Sequence, residues 1–102
     1  MAIYQTADYQ VSLEVVDEVK RAITEFVAYV RAHEAGTLLY AAWQRQDDSR
    51  RFTHLFIFRD EAAQRAHSES AAVAQFEAAY RPHLVGGDVV FTDFDQVATN
   101  WS

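Results

Sequence analysis

The apolar and polar positions of this chain follow a strand period first and a helix period next. β-forming residues are dense over 3–11, and apolar residues recur every three or four positions over 13–34. The pattern therefore predicts a strand and then an amphipathic helix, with Ser12 as N-cap and Gly36 as a left-handed residue just past the helix end. The apolar face of this helix comprises Val16, Val19, Ile23, Phe26, Val27 and Val30.

The second half of the chain repeats this alternation. Two β-rich runs, 37–46 and 51–59, flank four turn residues and predict a hairpin. An alanine-rich segment over 60–80 predicts a second helix, with a break near 68–70, and the residue before Pro82 ends it. A last strand is predicted over 88–98.

The resulting order is β-α-β-β-α-β, which is the ferredoxin-like arrangement. We expect an α+β fold, with a four-stranded antiparallel sheet carrying two helices on one face. The length of 102 residues, without a linker or a repeat, predicts one domain over 1–102.

The predicted strands lack the strict alternation of apolar and polar residues that is typical of a sheet with one solvent-exposed face. In the third strand, Phe52, His54, Phe56 and Phe58 form one set, which we assign to the helix-free face. Such a surface needs a cover, and a second copy of the chain would supply it, so that two sheets enclose an apolar pocket. The alternatives are the chain's own C-terminal tail or another protein. The candidate pocket-lining residues are Phe52, Phe56, Phe58, Tyr40, Trp43 and Phe91, and the pattern leaves open which face Trp43 occupies.

Composition, net charge and residue spacing exclude or disfavour several classes of function. Half of the residues are hydrophobic and 14% are aromatic, as in a globular domain. The net charge of −6 disfavours nucleic-acid binding. Cysteine is absent, which excludes disulfides, thiolate metal sites and cysteine nucleophiles. We expect no metal site, because no two histidines have ligand spacing, and no signal peptide or membrane span, so that the cytoplasm is the expected location.

The run FTHLFIFRDEAAQRAHSES over 52–70, with Phe76 beyond it and Glu34-Ala35-Gly36 before it, resembles the antibiotic biosynthesis monooxygenase family. This family is part of the dimeric α/β-barrel superfamily. The resemblance implies dimers whose sheets enclose a pocket on the face away from the helices. Several members oxidise polycyclic phenols or quinols with molecular oxygen and without metal, flavin or haem. Others degrade haem, and many have no known activity.

The family's functional residues are only partly matched. Quinone-forming members have an asparagine and a tryptophan four residues apart on the third strand, and these positions are His54 and Phe58 here. Many members have a glutamate at Phe56. Haem-degrading relatives have a tryptophan at His67 and a histidine at Glu77, so the resemblance disfavours haem degradation.

Two histidines are the candidate catalytic residues. His54 could remove a phenolic proton, since burial among phenylalanines would keep its imidazole neutral, or it could be a core residue bonded to a backbone carbonyl or water. His67 lies at the family's motif position and could act in catalysis, cap the helix or bridge to a partner chain. We expect a cofactor-independent monooxygenase acting on a small aromatic ligand. The alternative is a non-catalytic dimeric barrel that binds an apolar ligand or has a structural or regulatory role; an isomerase- or cyclase-like activity is a third possibility.

Overall fold

The computed structural model describes residues 1–101 and confirms the predicted order of elements. The sheet order is β2-β3-β1-β4, and every neighbouring pair is antiparallel, as in the ferredoxin-like fold. The elements are β1 (Ile3–Gln10), α1 (Val16–His33), β2 (Thr37–Gln44), β3 (Arg51–Phe58), α2 (Glu61–Ser68), α3 (Ala71–Tyr80) and β4 (Val90–Phe94), with 3₁₀ turns at Leu13–Val15 and Arg81–His83.

The predicted break in the second helix is confirmed, so residues 1–101 form three α-helices. The side chain of Asp60 accepts a hydrogen bond from the Ala63 amide (2.9 Å) and starts α2. The side chain of Ser70 accepts one from the Val73 amide (3.1 Å) and starts α3. Each cap satisfies an amide that has no partner within the helix, so the chain can stop one helix and begin another within three residues.

Two predicted boundaries are wrong. The side chain of Ser12 makes no capping bond, because a 3₁₀ turn follows it and α1 begins only at Val16. The last strand is shorter than predicted and ends at Phe94. Phe94 pairs with Tyr4, and only Ile3 of β1 lies beyond that pair, so little of the neighbouring strand remains for further pairing.

Gly36 is not the left-handed residue that the sequence predicted. Positive φ angles occur instead at Gly86 (81°) and Gly87 (126°), in the loop before β4. The reason for glycine at position 36 is close packing, since a Cβ placed there would lie 2.6 Å from the Cβ of Ala63 in α2. Gly36 therefore lets α2 approach the start of β2.

Gly36→Ala should destabilise the protein by about 1–3 kcal/mol, because neither backbone can yield without local repacking. Urea unfolding would measure the loss. In an Ala63→Gly background the same substitution should cost much less, because the clashing methyl group is gone. Equal costs in the two backgrounds would show that this contact does not require glycine.

The register assigns Phe52, His54, Phe56 and Phe58 to the helix side of β3. The His54 ring lies 5.6 Å from the ring of Phe76 in α3, and the Phe58 ring lies 5.1 Å from that of His67 in α2. All four β3 side chains are buried. Their predicted position on the helix-free face is therefore wrong. Both sets of side chains in β3 are largely apolar, so alternation alone could not say which set faces the helices.

The helix-free face has its own apolar side chains, and Trp43 is among them. Trp43 pairs with Thr53 across the β2–β3 ladder and is 57% exposed. Val90 and Phe94 of β4 are 59% and 51% exposed on the same face. We call this surface the open face and define it by Leu39, Trp43, Leu55, Ile57, Val90 and Phe94.

Candidate functional site

A cavity of about 300 Å³ lies between the sheet and the helices. Residues from all four strands and all three helices line it, and most are aromatic. Both predicted histidines, His54 and His67, reach its wall. The cavity is thus formed within one chain, and the prediction that His54 lies between two sheets is wrong.

The predicted pocket residues divide into two groups. Tyr40, Phe56, Phe58 and Phe91 line the cavity. Phe52 does not line it, because its ring is buried against Tyr9 at a centroid distance of 5.6 Å. Trp43 does not line it either, because it lies on the open face, the side on which a pocket between two sheets would form.

His54 is held between two tyrosine hydroxyls. Its Nε2 lies 2.8 Å from the hydroxyl of Tyr9, and its Nδ1 lies 2.8 Å from the hydroxyl of Tyr40. The residues beside His54 on β1 and β2 are Ala7 and Ala42, whose small side chains leave room for the imidazole. The two tyrosines reach it as diagonal neighbours on the same face of the sheet.

The environment of His54 keeps it uncharged. Burial lowers the pKa of His54 to about 4, and the nearby charge of Asp8 opposes this only partly. Burial also raises the pKa of Tyr9 and of Tyr40 above the usual tyrosine value. At neutral pH the three side chains are therefore a neutral cluster. Because both ring nitrogens are bonded to tyrosines, His54 cannot itself accept a proton directly from a ligand in this arrangement.

His67 forms a different pair. Its Nδ1 lies 2.7 Å from Oε1 of Glu34, which also accepts a hydrogen bond from the Thr37 hydroxyl at 2.8 Å. Glu34 follows the last residue of α1, and its other carboxylate oxygen, Oε2, is buried without a hydrogen-bond partner in the described part of the chain. A carboxylate at Nδ1 favours the tautomer with the proton there, which leaves Nε2 as an acceptor.

The walls around the His67–Glu34 pair are aromatic. The His67 ring lies 5.6 Å from Phe26, 5.1 Å from Phe58 and 5.8 Å from Tyr40. No hydrogen bond joins His67 Nε2 to another described residue. The cavity therefore presents a carboxylate-oriented imidazole to a largely apolar space, which is the arrangement of a general base.

The sequence identified His54 and His67 and named Tyr40 as a pocket residue, but it missed Glu34 and Tyr9. Glu34 is part of the Glu-Ala-Gly motif, which gave no indication of a contact with His67. For Tyr9 the sequence offered only the alternation of β1, which places its side chain on the same face of the sheet as that of Ala7. No group of three or more His, Cys, Asp or Glu residues among residues 1–101 is arranged to hold a metal ion. None of the helices in this part of the chain is both long and apolar enough to cross a membrane.

The fold and the site define a ferredoxin-like domain with an aromatic cavity between its sheet and its helices. A family model described as antibiotic biosynthesis monooxygenase matches residues 2–79. The chain belongs to this family, as its resemblance in sequence indicated. No curated protein is significantly similar to it in sequence.

Solved structures agree on the fold. A candidate antibiotic biosynthesis monooxygenase from Bacteroides thetaiotaomicron is 16% identical with a TM-score of 0.89, covering 99% of this chain and 94% of that one. One from Caulobacter crescentus is 22% identical with a TM-score of 0.86, covering 95% and 91%. One from Nitrosomonas europaea is 15% identical with a TM-score of 0.83, covering 94% and 90%. Similarity at this level of identity extends to the fold alone.

Proposed function

We propose that the protein is a cofactor-independent monooxygenase that oxidises a phenol or quinol with molecular oxygen inside the cavity. The observation that carries this proposal is the His67–Glu34 pair, whose Nε2 is unbonded beside an aromatic space. A reaction without a cofactor requires the substrate to supply the electrons, so the protein must bind the ring, remove a proton and exclude water.

The cavity volume restricts the substrate. An apolar cavity of about 150 Å³ accepts benzene. A volume of about 300 Å³ therefore suits a molecule of one or two rings better than a larger fused system. The walls from Phe26, Phe56, Phe58 and Phe76 would stack against such rings.

His67 Nε2 takes the phenolic proton, and Glu34 stabilises the imidazolium that forms. The phenolate gives electrons to oxygen, and one oxygen atom bonds to the ring carbon. The other oxygen atom leaves as water with two hydrogens from the substrate, so that a phenol and O₂ become a quinone and water. Desolvation by the aromatic wall strengthens the interaction between imidazolium and phenolate.

Oxygen uptake would test this reaction. With the metal-free protein and 1,5-dihydroxynaphthalene, we expect one O₂ consumed for each hydroxynaphthoquinone formed, without hydrogen peroxide. With ¹⁸O₂, the product should gain a single labelled oxygen atom. Uptake no faster than in protein-free buffer, across a panel of one- and two-ring phenols and reduced quinones, would contradict the proposal. Ligand binding without uptake would support the non-catalytic alternative.

Dimerisation is the second part of the proposal. Members of the family are typically dimers, and the open face exposes Trp43, Val90 and Phe94. An apolar surface of this kind on one side of a small sheet favours a partner, and a two-fold copy of the same face would cover it. The dimer would form on the side opposite to the cavity, so each chain would keep its own cavity.

Trp43→Glu should dissociate this dimer, because two charges would be buried at the interface without partners. Sedimentation velocity should show the wild-type chain as a dimer and the variant as a monomer at micromolar concentration. Leu13→Glu is the control, since Leu13 is 65% exposed in the 3₁₀ turn before α1, outside the sheet. A monomeric wild-type protein, or dissociation by Leu13→Glu alone, would contradict the proposed interface.

A further inference from the structure

The cluster of Tyr9, His54 and Tyr40 contains one more proton than its own hydrogen bonds can use. A neutral imidazole has one N–H donor and one unprotonated nitrogen. One tyrosine must therefore donate to the imidazole, and the other must accept from it. The accepting tyrosine keeps its own hydroxyl proton, which has no acceptor among the residues that the structure describes.

This spare proton lies at the cavity wall. Both Tyr9 and Tyr40 line the cavity together with His54, which is only 1% exposed. A buried donor without an acceptor costs about 1–3 kcal/mol. The site is therefore stabilised by any occupant that brings an oxygen acceptor to either hydroxyl.

We propose that Tyr9, His54 and Tyr40 form a recognition unit that donates one hydrogen bond to an oxygen atom of the ligand. The cavity would then select ring compounds that carry a carbonyl or phenolate oxygen over plain hydrocarbons of the same shape. His54 is the positioning residue, and a tyrosine hydroxyl makes the contact. This inference rests on the proposed function only in taking the ligand to be aromatic.

Either tyrosine can be the donor, because the imidazole proton can occupy either nitrogen. With the proton on Nδ1, His54 donates to Tyr40, and the Tyr40 hydroxyl is free to bind the ligand. With the proton on Nε2, the Tyr9 hydroxyl is free instead. Removing one hydroxyl therefore leaves the other able to donate, and a test has to remove both.

The test is binding of ¹³C-carbonyl 1,4-naphthoquinone to the full chain. This ligand has no phenolic proton to lose, so binding does not depend on turnover, and the chain has no cysteine that could add to it. Infrared spectroscopy should show a bound carbonyl stretch lowered from its value in hexane. Tyr9→Phe combined with Tyr40→Phe should abolish this shift and weaken quinone binding about tenfold, the effect of one lost hydrogen bond of about 1.4 kcal/mol. Naphthalene binding should change less than twofold.

Tyr80→Phe is the matched control, because Tyr80 also lines the cavity but makes no hydrogen bond to His54. This variant should keep both the infrared shift and the affinity for the quinone. The proposal is overturned if the wild-type complex shows unshifted carbonyls, or if Tyr80→Phe alone removes the shift. The wild-type spectrum decides the matter even if the double variant does not fold. Oxygen uptake tests the reaction separately, so a failure of one proposal leaves the other standing.

Discussion

His67→Ala should lower the rate of oxygen uptake with 1,5-dihydroxynaphthalene by about 10²–10⁴-fold, the usual contribution of a general base. The variant loses the acceptor that takes the phenolic proton. The quinone affinity should stay within about threefold, because the hydrogen bond to the ligand comes from the tyrosine cluster rather than from His67. Steady-state uptake rates, together with the dissociation constant of 1,4-naphthoquinone, would separate a lost base from a collapsed cavity.

Glu34→Gln provides a graded comparison. The amide oxygen can still accept from His67 Nδ1 and from the Thr37 hydroxyl, so the imidazole keeps its orientation. The negative charge that stabilises the imidazolium is lost, and the rate should fall about 10–100-fold, as for other groups that orient a functional histidine. His33→Ala is the control, because His33 is exposed and stacks on Tyr29 outside the cavity. Full activity in His67→Ala would exclude His67 as the base.

The order of elements could be predicted from the sequence because each element leaves a local signal. The apolar spacing of α1 and the break at Ser70 depend on residues close together in the chain. Which face of the sheet packs against the helices does not depend on such local signals. In β3, His54 and Phe56 alternate with Leu55 and Ile57, and both sets are apolar enough to be buried. Which set faces the helices is decided when α1 and α3 pack on the sheet, and period-two alternation contains no information about that step.

The hydrogen-bond partners of the two histidines could not be predicted for a similar reason, because they are distant in sequence. Glu34, the partner of His67, is 33 residues away in sequence, and Tyr9, one of the two partners of His54, is 45 residues away. Local patterns could identify His54 as a polar residue among phenylalanines, and the family motif could identify His67. Their hydrogen bonds require the tertiary structure, and because of these bonds we propose His67 rather than His54 as the base.

Acid should destabilise the protein through His54. Burial lowers the pKa of His54 to about 4 in the folded chain, against about 6.5 when unfolded. Between these values the unfolded state binds the proton more tightly, so the free energy of unfolding falls as the pH falls from about 6.5 towards 4. Above about pH 6.5 the uncharged His54 costs the folded state nothing. Below about pH 4 the free energy of unfolding is lower by about 3 kcal/mol.

His54→Gln isolates this contribution, because a side-chain amide also offers one acceptor and a donor to the two tyrosines but does not titrate. Urea unfolding of both proteins near pH 7 and near pH 4 would measure it. The wild-type chain should lose about 3 kcal/mol more than His54→Gln between these conditions, since the carboxylates that titrate in the same range are common to both. Equal losses in wild type and His54→Gln would mean that His54 can be protonated in the folded chain without loss of stability. This result would contradict a neutral His54 that is hydrogen-bonded between Tyr9 and Tyr40.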